Sequence, residues 1–435
     1  MVAMRSRTFL TLVAAGLAAL VWASSSAAQR GGIFQGSMED QAIAYTKGPV
    51  SNVVADLNAR LADGSVRLRF DGRSGYLQSA LDALRIPVDS QLLLFSQTSL
   101  QAARIGPANP RALFFNDRAA LGWVRDGDLI EVAAHDATQG TVFYTLDQKP
   151  AADGAPPQFR RAFICLGCHV TSDTLGVPGL LMFSTTESGP GSLMRAVAMD
   201  HRTPLAERWG GWLVTGGAGG AGHRGNAIPA LEPARRRDLR SAEGLFEPDG
   251  YRAATSDIGA LLVFSHQTQM LNLLTRIGWE ARAADPRLHP PFTSSPEADQ
   301  RVAQMMNGIA AEVVDYMLFV DEAVLPGRVQ PSAAFVDRFS ATGPRDAKGR
   351  SLHELDLSRR LLKYPCSYLI YSPAFDGLPP AAKAPVYRRL WDVLSGAERE
   401  ERYRRALSRE DRQAIVEILR DTKTDLPEYF KGPVS

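Results

Sequence analysis

The run Cys165-Leu166-Gly167-Cys168-His169 carries the most specific chemical signal in the chain. Two thiols three positions apart lie on one side of a helical turn, where both can form thioethers with the two vinyl groups of one porphyrin. A histidine directly after them brings its imidazole to the iron as the proximal ligand. With three cysteines and seven histidines in 435 residues, random placement yields about 0.0003 copies of this C-x-x-C-H pattern, so chance does not explain it. Other chemistries share its residue types. A thioredoxin-like pair needs a strand before it and a helix after it in a βαβ unit. A zinc site needs further cysteines or paired histidines. A disulfide across so short a loop has no use for the histidine. The pattern therefore predicts one covalent haem c held by Cys165, Cys168 and His169.

The opposite face of the iron has several candidates. His223 lies in the glycine-rich stretch Gly216 to Gly225, and glycines permit close backbone approach to a flat cofactor. His266 and Met270 are one helical turn apart, which makes His266 a second possible ligand and Met270 a core residue. Met182, Met194 and Met199 follow the motif as weaker candidates, and an open five-coordinate iron is the remaining option. Arg160 and Arg161 are near enough in sequence to meet haem propionates, or else form a solvated pair. Cys366 reads as a buried inert thiol, with a reactive role as the alternative.

The elements that position these residues follow an N-terminal leader. Arg5 and Arg7 precede an apolar stretch from Phe9 to Ala23, and Ser26-Ala27-Ala28 offers a small-residue cleavage site. The expectation is an exported, periplasmic protein, with residues 1–28 removed. The 49 basic residues then fall to 47, equal to the 47 acidic ones. A neutral chain is a poor nucleic-acid ligand, because such binding needs a basic excess. Hydrophobic content of 45% and charged content of 22% indicate a globular protein. No segment after the leader is long and apolar enough to span a membrane.

Residues 29–155 read as an N-terminal α+β region. It has helices after Ser51 and from Ser74 to Leu84, and a strand over Leu92 to Phe95. A meander follows over Gly122 to Val124, Leu129 to Ala134 and Thr141 to Leu146. Residues 156–238 form the haem-binding segment. Residues 239–435 form a helical region, with helices over Ser256 to Ala284, Pro296 to Glu322 and Ser408 to Lys423. A sheet followed by helices is the α+β class.

The motif resembles that of c-type cytochromes. The longer pattern resembles a group of uncharacterised large bacterial single-haem cytochrome c proteins. That likeness rests on Phe114-Phe115-Asn116-Asp117, Phe159-Arg160-Arg161, Cys165 to His169, Val177-Pro178-Gly179, Trp209-Gly210-Gly211-Trp212 and Cys366 to Ser372. The resemblance implies that the Pro178 carbonyl receives the second ring N–H of His169. The C-x-x-C-H motif behind a leader is what points to electron transfer as the function, with a redox protein as the partner. The 407 residues left after the leader, several times what one haem requires, raise the alternative of a haem c-dependent oxidase, peroxidase or dehydrogenase.

Overall fold

Asn52 begins the first helix, its side-chain oxygen accepting from the N–H groups of Val54 and Ala55, both at 3.0 Å. That oxygen, one residue beyond the expected Ser51, satisfies the free first-turn donors of α1 (Val53–Ala62). The computed structural model describes residues 32–150, 156–186, 195–220, 222–228, 239–289 and 295–434. The expected leader at 1–28, and Met194 with it, lie outside these residues. Val54, Leu57 and Leu61 of α1 are buried, as are Leu77, Ala80, Leu81 and Leu84 of α2 (Leu77–Leu84).

The sheet begins with β1 (Leu92–Leu94), β2 (Arg111–Phe115), β3 (Ala119–Trp123), β4 (Leu129–Asp136), β5 (Gly140–Asp147) and the short edge strand β6 (Arg160–Arg161). From β6 the chain enters a 3-10 turn (Phe163–Cys165) and the single helical turn α3 (Leu166–His169). Next, β7 (Phe183–Thr186) and β8 (Arg195–Ala198) pair with each other, and β9 (Trp212–Leu213) returns to pair with β1. The seven-stranded sheet runs β6-β5-β4-β3-β2-β1-β9, antiparallel throughout. The expected meander is present, and β2 extends it by a strand.

The helical part follows as α4 (Ile258–Ala283), α5 (Pro296–Met317), α6 (Ala333–Thr342), α7 (Pro373–Asp376), α8 (Pro380–Leu394), α9 (Glu401–Ala406) and α10 (Arg409–Thr422). Asp257 caps α4, accepting from Gly259 and Ala260 at 2.8 and 3.1 Å. Helix α5 stops at Met317, short of Glu322, because Phe319 and Asp321 take left-handed φ values of 56° and 66°. The capping box expected at Ser408 and Asp411 is formed.

Of the 26 residues of α4, 22 are buried, which marks it as the central helix. One side meets the sheet region, with Trp279 Nε1 donating to the Thr138 carbonyl at 3.0 Å. The other carries α5 and α8. Phe34 to Ser435 hold together as one unit, so the regions read after the leader are parts of one body. The class is α+β, with the sheet N-terminal and the helices C-terminal.

Candidate haem site

The sheet edge fixes the approach to the C-x-x-C-H turn. Arg161 of β6 sits opposite Tyr144 of β5. Its guanidinium donates to the Tyr45 carbonyl at 2.7 Å and to Gln139 Oε1 at 3.1 Å, with the Phe163 ring 4.9 Å away. Arg160 is exposed and pairs with Asp147 at 3.4 Å. Neither arginine is among the residues lining the cavity described below. In place of a propionate, Arg161 has backbone and amide acceptors that lock the edge strand ahead of the turn.

His169 Nδ1 lies 2.8 Å from the Gly179 carbonyl oxygen, and Gly179 N–H donates back to the His169 carbonyl at 3.0 Å. The expected acceptor, Pro178, is displaced by one residue because its own carbonyl receives Thr141 N–H at 3.3 Å. Nδ1 being engaged, Nε2 is the ring nitrogen left for a metal. Burial lowers the His169 pKa below the ordinary value, which keeps the imidazole in the neutral, ligating form. The Phe143 ring stands 4.6 Å away in a tilted contact.

Cys165 and Cys168 are free thiols, the first half-buried and the second exposed. Burial, reinforced by the Glu131 charge, pushes the Cys165 thiol up to about 11. Both sulfur-bearing residues and His169 line one cavity of about 580 Å³. Its walls are largely apolar, with Leu94, Leu113, Phe143, Leu180, Trp212 and Phe264 prominent. The volume falls within the range of cofactor pockets, and the lining suits a large flat apolar ring. Two thiols and one free imidazole nitrogen on one wall supply the donor set for covalent haem, so the residues fit the group.

The Trp209-Gly210-Gly211-Trp212 segment builds a second wall. Thr185 N–H donates to the Gly210 carbonyl at 2.8 Å, and Trp212 Nε1 donates to the Phe183 carbonyl at 2.8 Å. A side chain on Gly210 would collide with the Thr185 backbone, so only glycine lets β7 approach this closely.

The distal candidates lie elsewhere. The ring of His223 packs edge-on against Trp209, with centroids 5.6 Å apart, and does not line the cavity. Among the nearby glycines, Gly217 exchanges backbone bonds of 3.0 and 2.8 Å with Gln330, and Gly219 abuts Gly327. His266 is fully buried and committed on both nitrogens, Nδ1 to His201 Nδ1 at 2.8 Å and Nε2 to Ser367 Oγ at 2.7 Å. It does not line the cavity that holds Cys165, Cys168 and His169. Met182, Met199 and Met270 are core residues, and Met199 Sδ accepts from Trp209 N–H at 3.3 Å. Cys366 is buried, and burial raises its thiol to about 12, consistent with an inert role.

Three residues in or behind the cavity wall had no motif around them. Arg111 and Glu131 form an ion pair in the cavity wall, and Asn272 of α4 clamps the backbone of Leu180. A glutamate inside the apolar run Leu129 to Ala134 was the available signal for the pair. Among the described residues, no cluster of three or more His, Cys, Asp or Glu side chains could hold a metal ion by itself. Neither a protein-family model, nor a curated protein, nor a solved structure matches this chain.

Proposed function

We propose that the protein is an exported, periplasmic single-haem c-type cytochrome that transfers electrons to or from a redox partner protein. What carries the reading is the convergence of Cys165, Cys168 and His169 on one 580 Å³ cavity. One haem c held there supplies one-electron redox chemistry. Cys165 and Cys168 would hold it covalently, and His169 would supply the iron ligand through Nε2. The Gly179 carbonyl, 2.8 Å from Nδ1, orients the imidazole and raises its basicity, which favours the oxidised iron. Phe143, Leu180 and Phe264 give the cavity apolar walls, and the exposed Cys168 places that attachment edge near the surface, where a partner can approach. No described helix is long and apolar enough to cross a membrane.

The test is the reduced visible spectrum of the mature protein from a host that matures c-type haem. A thioether-shifted α-band lost in Cys165→Ser/Cys168→Ser is expected. A mature wild-type protein with no such band overturns the reading.

A second reading, a haem c-dependent oxidoreductase, is favoured by the Arg111–Glu131 pair inside the cavity. It requires a reaction at the haem. A holoprotein whose spectrum ignores cyanide and carbon monoxide, and whose iron no substrate reduces, excludes that reading.

A further inference from the structure

One charged pair interrupts a cavity wall whose other described side chains are neutral, the His169 imidazole included. Arg111 of β2 and Glu131 of β4 reach toward each other across β3, guanidinium to carboxylate at 2.8 Å, with side chains 16% and 12% exposed. The β3 residue between them is Gly122, which pairs with Leu113 on one side and Glu131 on the other. A Cβ at Gly122 would collide with the Arg111 guanidinium, so this glycine leaves the gap in which the guanidinium lies. Glu131 accepts a further bond from Ser99 Oγ at 3.3 Å, whereas Arg111 Nε is buried with no partner among the described residues.

A purely structural role explains this pair poorly. Replacing a buried ion pair by apolar residues of similar volume is often neutral or stabilising, because the pair must first be desolvated. The fields of both charges also reach the Cys165 thiol and the His169 imidazole, which places them beside the haem attachment points. Among the described lining residues, His169 is the sole histidine and there is no methionine. Tyr144 also lines the cavity, but its hydroxyl is engaged with Asn52 at 3.1 and 3.3 Å, so no described lining side chain is poised as a second iron ligand.

We propose that Arg111, braced on Glu131 over the Gly122 gap, binds a small monovalent anion at an exchangeable face of the haem. The inference rests on the haem c reading and adds a ligand class to it. A guanidinium carries five N–H donors in a fixed fork, so pairing with Glu131 leaves donors over, Nε among them. A fixed cation set in a largely apolar cavity wall attracts an anion more strongly than it would in bulk water. Glu131 holds the guanidinium in place, and its own charge opposes the incoming anion.

The experiment uses the holoprotein, its thioether α-band recorded first. The ferric form is titrated with azide and fluoride, and the ferrous form with carbon monoxide as an uncharged control. The wild type is expected to shift its spectrum with both anions. Arg111→Gln is expected to weaken azide binding about tenfold or more, the worth of one hydrogen bond to a charged group. Gly122→Ala keeps both charges but displaces the guanidinium, and is expected to weaken azide in the same direction. Glu131→Gln tightens it, and carbon monoxide affinity stays within about twofold throughout, because it makes no charged hydrogen bond. A haem c spectrum indifferent to azide and fluoride overturns the proposal, as does equal azide affinity in the wild type, Arg111→Gln and Gly122→Ala. A protein without the thioether band fails at the earlier step, because the haem reading itself is then wrong.

Discussion

Asn272 connects the buried helix to the Gly179–His169 contact through two bonds to the Leu180 backbone. Its Oδ1 accepts Leu180 N–H at 3.2 Å and its Nδ2 donates to the Leu180 carbonyl at 2.9 Å. Leu180 adjoins Gly179, whose carbonyl holds His169. Asn272→Leu keeps the branched shape of this 1% exposed side chain, heavy atom for heavy atom, and deletes both bonds. The two Leu180 backbone groups are part-buried, so orphaning each costs toward the lower part of about 1–3 kcal/mol, and urea melts of the apoprotein should show a loss of about 2–4 kcal/mol. The functional readout is separate. Releasing Leu180 frees the Gly179 carbonyl and weakens its hold on Nδ1, so the imidazole becomes less basic and supports the ferric iron less well. If that costs tenfold in preference for the oxidised state, the low end of what outer partners contribute, the midpoint potential rises by about 60 mV for a one-electron couple. Potentiometric titration of the holoprotein measures it. A residue that only stabilises the fold would move the melt and leave the potential alone. A stability loss under about 1 kcal/mol refutes the bond accounting, and an unchanged potential refutes the positioning role.

Two further perturbations address the frame. Burial, helped by the Arg345 charge, holds His353 down to about 4 from the ordinary 6.5. The folded state therefore favours the neutral ring, and the unfolded chain gains protons first as pH falls. Stability is lost from about pH 6.5 down to about pH 4, with about 1.4 kcal/mol of it gone by pH 5.5. His353→Leu should reduce the drop in urea-melt stability between about pH 7.5 and pH 5.5 by that amount, and identical pH slopes in the two proteins would sink the argument. Gly210→Val drives a side chain into the Thr185 backbone. It should cost about 1–3 kcal/mol and lower haem loading as Trp212 shifts, whereas wild-type melting and loading would show that the close approach is dispensable.

The legible parts of this molecule were those encoded locally. The C-x-x-C-H turn needs five adjacent residues, and the helices from Pro296 and Ser408 announce themselves by caps at their starts. The meander followed from alternation. Partners across the fold were not legible. Pro178 and Gly179 are adjacent in sequence, and only the turn between Val177 and Leu180 decides which carbonyl faces Nδ1. Glycines in the 216–225 stretch correctly signalled a close backbone approach, but the approaching chain is Gln330, over a hundred residues on. His266 and Met270 share a face of α4, yet a helix buried nearly all round has no face that periodicity can assign to one neighbour. The Arg111–Glu131 pair depends on a three-strand register that brings together residues twenty positions apart.

On the proposed haem c reading the chain is long for one cofactor, and the central helix accounts for that length. The described residues lining the cavity run from Leu94 to Phe264, so no lining residue comes from the 170 or so positions that follow. Those positions act behind the wall. Helices α5 and α8 pack on the outer side of α4, and Ser367 joins His266 and His201 in a buried relay that ties the C-terminal part to it. With one side anchored in this way, α4 presents Phe264 to the cavity and Asn272 to Leu180. The sequence of supports therefore runs from the C-terminal helices to α4, from Asn272 to the Leu180 backbone, and from Gly179 to the imidazole of His169. A small carrier can hold its ligand with local turns alone. Here the second half of the chain fixes the position of one carbonyl oxygen, which makes the rigidity of that oxygen, measured by the potential in Asn272→Leu, the quantity on which the size of the protein bears most directly.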